Sequence, residues 1–179
     1  KAVYGLQTSF LTDWYATDHS LLTSSCYFPE MSVCGDALIQ VVTSDPVGKW
    51  QDIMQALLMV IGSSQKYIYV QTPYLLPTEP ILMALKNVAL AGVDVRIMIP
   101  ERADTKLIHY GSMSYLDELM VAGVKIYRYQ KGFLHSKLMV SDDTYSTIGS
   151  TNMDFRSFEH NFEVNALMYD SNSASMMKE

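Results

Sequence analysis

The sequence has few cysteines, few basic residues and no long apolar run. Cys26 and Cys34 are the two cysteines among its 179 residues, and 13 Lys plus Arg against 19 Asp plus Glu give a formal net charge of −6. Two thiols in an irregular segment, without His partners at ligand spacing, indicate free thiols rather than a disulfide scaffold or a zinc site. The acidic balance argues against a nucleic-acid-binding protein, because such a surface releases few counterions. The longest apolar run, residues 56–61, is far shorter than the roughly 20 residues that cross a bilayer.

What the sequence has instead is the composition of a folded, soluble domain. Hydrophobic residues make up 49% of the chain and charged residues 18%, and this length suffices for one domain with a substantial core, or for one domain carrying a piece of a neighbour. Apolar residues at helical spacing predict a helix over residues 2–16. Residues 18–34 have no sustained period, which predicts a linker.

From residue 37 onwards the pattern alternates between strands and helices. Strands are predicted at 37–43, 67–71 and 93–99, and helices at 50–61, 78–91 and 104–122, with stops at Gly92 and Gly123. After Gly123 strands alone follow, at 124–129, 133–141, 145–149 and 162–169. The predicted fold is therefore α/β, with a mixed, mostly parallel sheet flanked by helices and a strand-rich C-terminal part.

His135 and Lys137 are the first residues that indicate chemistry. Two positions apart on a predicted strand, they leave the same face about 6.6 Å apart along it. An imidazole and an ammonium beside one pocket suit a phosphodiester: the imidazole attacks phosphorus or moves a proton, and the ammonium neutralises a phosphoryl oxygen without a metal. Taken alone, the two residues fit an ordinary surface strand equally well.

Further polar residues follow at fixed spacing. Asp142 has the opposite parity to Lys137, which predicts a structural role at the turn, accepting backbone N–H groups. Gly149 permits close backbone approach, and Ser150 and Asn152 share parity and offer a hydroxyl and an amide to phosphate oxygens.

Together these residues form the string His-x-Lys-x4-Asp-x6-Gly-Ser-x-Asn, which is the signature of the phospholipase D superfamily. Other segments resemble one branch of it, the bacterial cardiolipin synthases: Gln-Thr-Pro-Tyr-Leu-Leu-Pro at 71–77, Ala-Gly-Val-Asp-Val-Arg-Ile-Met-Ile-Pro at 91–100, Ala-Gly-Val-Lys-Ile-Tyr at 122–127, and the run after the motif at 149–165. The resemblance covers nearly all of residues 35–170.

Members of that family carry two such motifs, one in each half, so the resemblance implies that this chain is a second half. Residues 1–17 are then the closing helix of a preceding phospholipase D-like half, 18–34 a linker, and 35–179 a catalytic domain truncated at its C-terminus. The implied activity is phosphatidyl transfer between two phosphatidylglycerol molecules through a phosphohistidine, with release of glycerol and with no metal or cofactor. The implied partners are the other half and the bacterial cytoplasmic membrane, reached through segments outside these residues.

The resemblance also implies roles for three residues beyond the motif. An acidic residue near Glu163 hydrogen-bonds a motif imidazole, either His135 or the histidine of the other half; the alternative is a surface carboxylate on an edge strand. Arg156 and Ser157 are predicted to line the same cavity, where an arginine fork suits a lipid phosphate. For Arg156 an ion pair with Asp154 or Glu159 is the alternative.

Two other functions remain compatible with the sequence. One is a phosphodiesterase or nuclease that builds its site from two identical single-motif chains, as a homodimer. The other is an inactive module that docks on the first half. The acidic balance and the resemblance outside the motif favour lipid over nucleic acid as the substrate.

Overall fold

A computed structural model describes residues 1–32 and 35–179. Within these ranges the helices are α1 Ala2–Asp18, α2 Asp52–Ser63, α3 Glu79–Leu90, α4 Lys106–Val121, α5 Phe155–Glu159 and α6 Ser171–Lys178, with a 3-10 turn at Ser25–Tyr27. The strands are β1 Ile39–Ser44, β2 Tyr67–Gln71, β3 Leu75–Leu76, β4 Asp94–Pro100, β5 Lys125–Tyr129, β6 Leu138–Ser141, β7 Tyr145–Gly149, β8 Met153–Asp154 and β9 Glu163–Tyr169.

Seven strands form one mixed sheet, which confirms the predicted α/β class. Their order is β1-β9-β7-β6-β2-β4-β5, and a second sheet pairs β3 with β8. The prediction that the sheet is mostly parallel is wrong. In the described chain β2, β4 and β5 pair in parallel, whereas the other four adjacent pairs of the large sheet are antiparallel. The alternation of predicted strands and helices gives the order of the strands along the chain, but it does not tell which strands pair. Strand β1 pairs with β9 at the edge of the sheet.

The core is packed between the sheet and the helices that follow its strands. Ile53, Leu57 and Ile61 of α2 are almost completely buried, and so are apolar residues of α3, β2 and β4. The helical spacing of these residues is the reason that α2 forms here. Helix α2 also begins on a specific contact, because the Ser44 hydroxyl at the end of β1 accepts the Ile53 N–H at 2.9 Å.

The strand directions bring one set of loops to the same edge of the sheet, called the upper edge from here on. Strands β1, β2, β4, β5 and β7 end there, and β6 and β9 begin there. The upper edge consists of residues 45–51, 72–78, 101–105, 130–137 and 150–162. The opposite, lower edge consists of residues 64–66, 91–93, 122–124 and 142–144. Every residue predicted to act on a substrate follows or precedes a strand at the upper edge.

Two local predictions need correction or limitation. The strand predicted over 133–141 begins only at Leu138, so residues 133–137 lie before the sheet and are not paired in it. Helix α1 forms as predicted and extends to Asp18, but none of its residues is buried.

Cys26 is an exposed free thiol, whereas Cys34 lies outside the described residues. The division into a preceding helix, a linker and a catalytic domain stays a prediction.

In the ranges that the structure describes, every helix is too short or too polar to cross a membrane.

Candidate active site

His135 and Lys137 meet in front of β6. The Lys137 Nζ lies 3.2 Å from the His135 Nε2 and also donates to the His135 carbonyl at 3.0 Å. Ser136, between them, turns the other way and donates to the Gln71 side chain at 2.8 Å. The expectation that the two side chains lie on the same side of the chain is confirmed, although an extended segment holds them rather than the strand itself. That they line one substrate pocket stays a prediction. The His135 ring is exposed and stacks on Phe133, with 5.6 Å between the ring centroids.

The surroundings of Lys137 lower the pKa of its ammonium. Burial lowers the pKa of its ammonium, while Glu163 and Asp154 act in the opposite direction. A partly desolvated cation beside an imidazole is suited to meeting a phosphoryl oxygen, because its charge is less screened than in water.

Glu163 opens β9, is buried, and has both oxygens occupied. It accepts a hydrogen bond from the Ser150 hydroxyl and a second one, at 3.0 Å, from the Asn161 amide. Ser150 was predicted to offer its hydroxyl to a phosphate, but here it donates to Glu163 and accepts from the Val164 N–H at 3.0 Å. Ser150 therefore positions Glu163. Among the described residues no histidine hydrogen-bonds Glu163, so which imidazole it serves stays a prediction.

Gly149 is required by the close approach of β7 to β9. A Cβ at this position would lie 2.1 Å from the Asn165 Oδ1 and 2.3 Å from the Val164 carbonyl oxygen. The close backbone approach that was predicted for Gly149 is confirmed, and it is made to the neighbouring strand. The Ser150 N–H, next in sequence, donates to the Val164 carbonyl at 2.9 Å. The glycine thus lets Ser150 reach Glu163.

Asn152 is held in place by Ser157. The Ser157 hydroxyl accepts from the Asn152 side-chain amide at 3.1 Å and from its backbone N–H at 3.3 Å. The predicted substrate-binding role of Ser157 is wrong, because the residue is fully buried and its hydroxyl is occupied by Asn152. Asp154 caps α5 by accepting the Ser157 N–H at 2.6 Å. The Asn152 Oδ1 is buried and, in the part of the chain described, has no hydrogen-bond partner.

Arg156 lies on the exposed side of α5. Within the described ranges no carboxylate lies within 4.0 Å of its guanidinium, so the alternative of an ion pair with Asp154 or Glu159 is not formed. Its guanidinium is therefore free to meet an anion at the upper edge. Whether that anion is a lipid phosphate stays a prediction.

Asp142 lies at the other end of β6, about 20 Å along the chain from His135. Asp142 and Asp143 both have positive φ, and the Thr144 N–H donates to the Ser141 carbonyl at 3.0 Å, which is a type I′ hairpin turn. The Asp142 carboxylate accepts the backbone N–H groups of residues 65–67 at 2.7 to 2.9 Å. The predicted structural role is confirmed, and a direct part in catalysis is excluded by the distance.

Asp142→Asn is expected to lower the free energy of unfolding by about 1–2 kcal/mol at pH 7, since the amide loses one charged acceptor while keeping the left-handed backbone conformation. Burial raises the pKa of Asp142, but the three backbone donors outweigh it and the net shift is downward. The carboxylate therefore stabilises the fold above its unfolded pKa of about 4, and this contribution is lost as the pH falls through the lowered folded value.

Denaturant titrations of both proteins between pH 7 and pH 2.5 measure this difference. Asp143→Asn is the matched control, because Asp143 occupies the same turn but contacts the Tyr67 hydroxyl and Lys178 at the surface. A gap between wild type and Asp142→Asn that persists unchanged at pH 2.5 would contradict this account.

Two buried residues support the site without having been predicted. Asn165 on β9 accepts the Thr151 N–H at 3.4 Å and donates to the Thr147 hydroxyl at 3.3 Å. The Thr72 hydroxyl accepts the Met153 N–H at 3.1 Å and thereby joins the segment after β2 to β8. Asn165 could have been found from the sequence, because it is a polar residue within an otherwise apolar strand. No feature of the sequence indicated the role of Thr72.

No group of three or more His, Cys, Asp or Glu side chains in residues 1–32 and 35–179 is arranged to hold a metal ion. The expectation of a reaction without metal or cofactor stays a prediction, which depends on the chemistry of Lys137 and Asn152.

Residues 57–179 match the family model described as cardiolipin synthase, PLD-like domain. The cardiolipin synthase of Geobacillus sp. (strain WCH70) is 46% identical over 179 residues, covering 99% of this chain and 36% of that protein. Cardiolipin synthase 2 of Bacillus cereus is 45% identical over 175 residues, covering 97% and 34%. The chain thus spans about a third of the length of the curated relatives that it matches.

Solved structures share the fold at lower identity. Nuc from Salmonella typhimurium, a phospholipase D family member, superposes with a TM-score of 0.68 at 21% identity, covering 80% of this chain and 90% of that one. Phosphatidylserine synthase from Haemophilus influenzae gives a TM-score of 0.62 at 15% identity, covering 78% and 36%. At these identities the comparison concerns the fold alone.

Proposed function

The chain belongs to the cardiolipin synthase family of phospholipase D-like proteins, and on that premise we propose that it supplies one of the two histidine sites of a phosphatidyltransferase. The proposed reaction joins two phosphatidylglycerol molecules into cardiolipin and releases glycerol. The contact between His135 and Lys137 carries this proposal, since it places a proton-transfer group and a cation at one exposed point of the upper edge.

In the first step a histidine of the other half attacks phosphorus, and the bond from phosphorus to the glycerol oxygen breaks. His135, protonated, gives its proton to that oxygen, so glycerol leaves as a neutral alcohol. Lys137 meets a non-bridging oxygen as the transition state gathers negative charge. The phosphatidyl group is then covalently bound to the other histidine.

In the second step the primary hydroxyl of a second phosphatidylglycerol attacks phosphorus. His135, now neutral, takes the hydroxyl proton, and the bond from phosphorus to the nucleophilic histidine breaks. Both histidines return to their starting protonation states. A covalent intermediate that waits for an alcohol explains how transfer competes with hydrolysis.

The surrounding residues have supporting roles in this proposal. Asn152, held by Ser157, presents its amide to a phosphoryl oxygen, and Arg156 meets the phosphate of a lipid at the exposed rim. Glu163, fixed by Ser150, orients a motif imidazole and keeps it basic near neutral pH. Lys137 and Asn152 together make a divalent cation unnecessary, so we also propose a metal-free reaction.

A phosphodiesterase made of two identical chains is the second candidate. The exposed His135 ring favours it, because a second copy of the chain could bring its own His135 to the same phosphorus. In that arrangement the exposed His135 of each chain would face the other. Hydrolysis of a phosphodiester by the 179-residue chain alone, with a molecular mass in solution twice that of the monomer, would favour this candidate.

The test of the proposed function is product analysis with a full-length protein that carries this chain, incubated with phosphatidylglycerol. Cardiolipin and free glycerol are expected in equal amounts. Phosphatidic acid and glycerol without cardiolipin would instead indicate a hydrolase, and an isolated chain that restores activity only when added to the first half would indicate that it completes a shared site.

Lys137→Met in the full-length protein is expected to lower kcat by about 10²–10³-fold, because a preorganised charge at the phosphoryl oxygen is lost. KM is expected to change much less, since the charge acts mainly in the transition state. Initial rates at several phosphatidylglycerol concentrations measure both quantities.

The matched control is Lys66→Met at the lower edge, whose hydrogen bonds to Asp142 and Asp94 are made by its backbone and are therefore kept. Its kcat is expected to stay within about twofold of wild type. A Lys137→Met enzyme with normal kcat and a raised KM would show that Lys137 only binds the substrate.

A further inference from the structure

The motif histidine lies in a segment with few links to the sheet. Residues 133–136 precede β6 and are not paired in it. Within the described ranges, one hydrogen bond joins them to another element: the Ser136 hydroxyl donates to the Gln71 Oε1 at 2.8 Å. The His135 ring beside it is exposed. The place of His135 in front of the sheet therefore depends on that bond more than on burial.

Gln71 belongs to a strand that is paired on both sides. It is the last residue of β2, which pairs in parallel with β4 and antiparallel with β6. The hydrogen bonding continues beyond it, because the Thr72 N–H donates to the Met98 carbonyl at 3.1 Å. Gln71 lies directly opposite Leu138, so Ser136 is its diagonal neighbour on the same face of the sheet. The bond thus extends the register of β2 and β6 by two residues.

The side chains of His135 and Lys137 leave the chain on the face opposite to Ser136, since neighbours along an extended segment alternate. The Lys137 carbonyl accepts the Gly149 N–H at 3.2 Å, so the chain is joined to β7 at Lys137 and to β2 at Ser136. Two consecutive fixed residues set both the position and the rotation of the segment. The imidazole and the ammonium then meet at 3.2 Å on the other face.

We infer that Gln71 is a positioning residue, which acts through Ser136 to hold the motif imidazole and ammonium where both reach one phosphoryl group. Gln71 does not itself touch the reacting atoms, because its side-chain oxygen is used by Ser136 on the opposite face. A displacement of about 1 Å in a catalytic group lowers a rate by about 10²-fold. This inference rests on the proposed function, because that function gives His135 and Lys137 their roles.

Kinetics of the full-length protein test the inference with Gln71→Met, which keeps the length of the side chain and removes the acceptor. Its kcat for cardiolipin formation is expected to fall about 5–50-fold, because fewer molecules hold the histidine within reach, while KM changes less than about twofold. Ser136→Ala is expected to cause the same loss. Ser136→Thr keeps the hydroxyl and is expected to restore kcat to within about threefold of wild type.

A double variant shows whether the two residues act through their shared bond. Gln71→Met with Ser136→Ala is expected to lose no more than either single variant, whereas independent roles would multiply the two losses. The matched control is Gln40→Met on β1 near the lower edge, which also removes an acceptor within the sheet, that of the Tyr169 hydroxyl. Its kcat is expected to stay within about twofold of wild type.

NMR relaxation of the 179-residue chain provides a readout that does not depend on turnover. In wild type the heteronuclear NOE values of the amides at 134–136 are expected to equal those of β6. In Gln71→Met they are expected to fall to the values of exposed loops, while the amides of β2 and β6 stay unchanged. The melting temperature is expected to fall by no more than about 4 °C, since one hydrogen bond is lost.

Three results would overturn the inference: a normal kcat in Gln71→Met, unchanged NOE values at 134–136 in that variant, or losses that multiply in the double variant. A kcat that falls only in step with the folded fraction would also overturn it, because Gln71 would then act on the fold and not on the histidine. If the full-length wild type makes no cardiolipin, the proposed function fails, and the NOE values decide whether Gln71 orders the segment.

Discussion

Replacing His135 with asparagine in the full-length protein is expected to lower the rate of cardiolipin formation by about 10³–10⁴-fold. Asparagine keeps the size and polarity of the side chain but can neither protonate the leaving glycerol oxygen nor accept the proton of the acceptor hydroxyl, and general acid-base catalysis contributes about 10²–10⁴-fold at each such step. Both steps of the proposed reaction use His135. The initial rate of glycerol release and that of cardiolipin formation are measured together.

His19→Asn is the control for this substitution. His19 ends α1 in the left-handed conformation, which asparagine also adopts, and it lies far along the chain from the motif. Its rate is expected to stay within about twofold of wild type. A His135→Asn enzyme that keeps more than about a tenth of the wild-type rate would contradict the acid-base role, because a residue required in both steps leaves no such residual activity.

Gly149→Ala is expected to destabilise the fold by about 3 kcal/mol and to lower the melting temperature by about 6–12 °C. The added Cβ would lie 2.3 Å from the Val164 carbonyl oxygen, which is backbone and cannot turn away, so β7 and β9 must separate. The bond from the Ser150 N–H to that carbonyl is then lost. Glu163, which Ser150 fixes, loses its position, and transfer activity is expected to fall more than stability alone explains.

Gly62→Ala is the matched control, since Gly62 lies in α2 and a Cβ there would meet nothing within 4 Å. It is expected to leave stability unchanged or to raise it by about 0.5 kcal/mol, because alanine favours the helix. Thermal unfolding of the three proteins measures both effects. Equal melting temperatures for Gly149→Ala and wild type would show that β7 and β9 tolerate a wider spacing.

Local pattern predicted much of this fold. Strands β2 and β7 lie where alternating apolar residues placed them, and the Gly92 and Gly123 stops lie just beyond the ends of α3 and α4. Pairing was harder to predict: β1 reads like the first strand of a parallel series but pairs antiparallel with β9, more than 100 residues later. The two-residue strands β3 and β8 are too short to show a period at all.

The candidate site, like the fold, was predicted only in part from the sequence. The spacing of His135 and Lys137 predicted their contact, because residues two apart in an extended chain share a side. Nothing in the spacing tells whether Ser150 faces a substrate or a protein carboxylate, since Glu163 reaches it only through the pairing of β7 with β9. The prediction that Ser157 binds the substrate was wrong for a related reason. The short helix α5 places the Ser157 hydroxyl in the interior, where it accepts from Asn152.

The position of the covalent intermediate tests the central claim most directly. The full-length wild-type protein is incubated briefly with phosphate-labelled phosphatidylglycerol, quenched in base to preserve phosphohistidine, and digested for mass spectrometry. The account predicts that the label lies on a histidine outside these 179 residues and that His135 carries none. Label trapped on His135 would contradict the account, because His135 would then be the nucleophile.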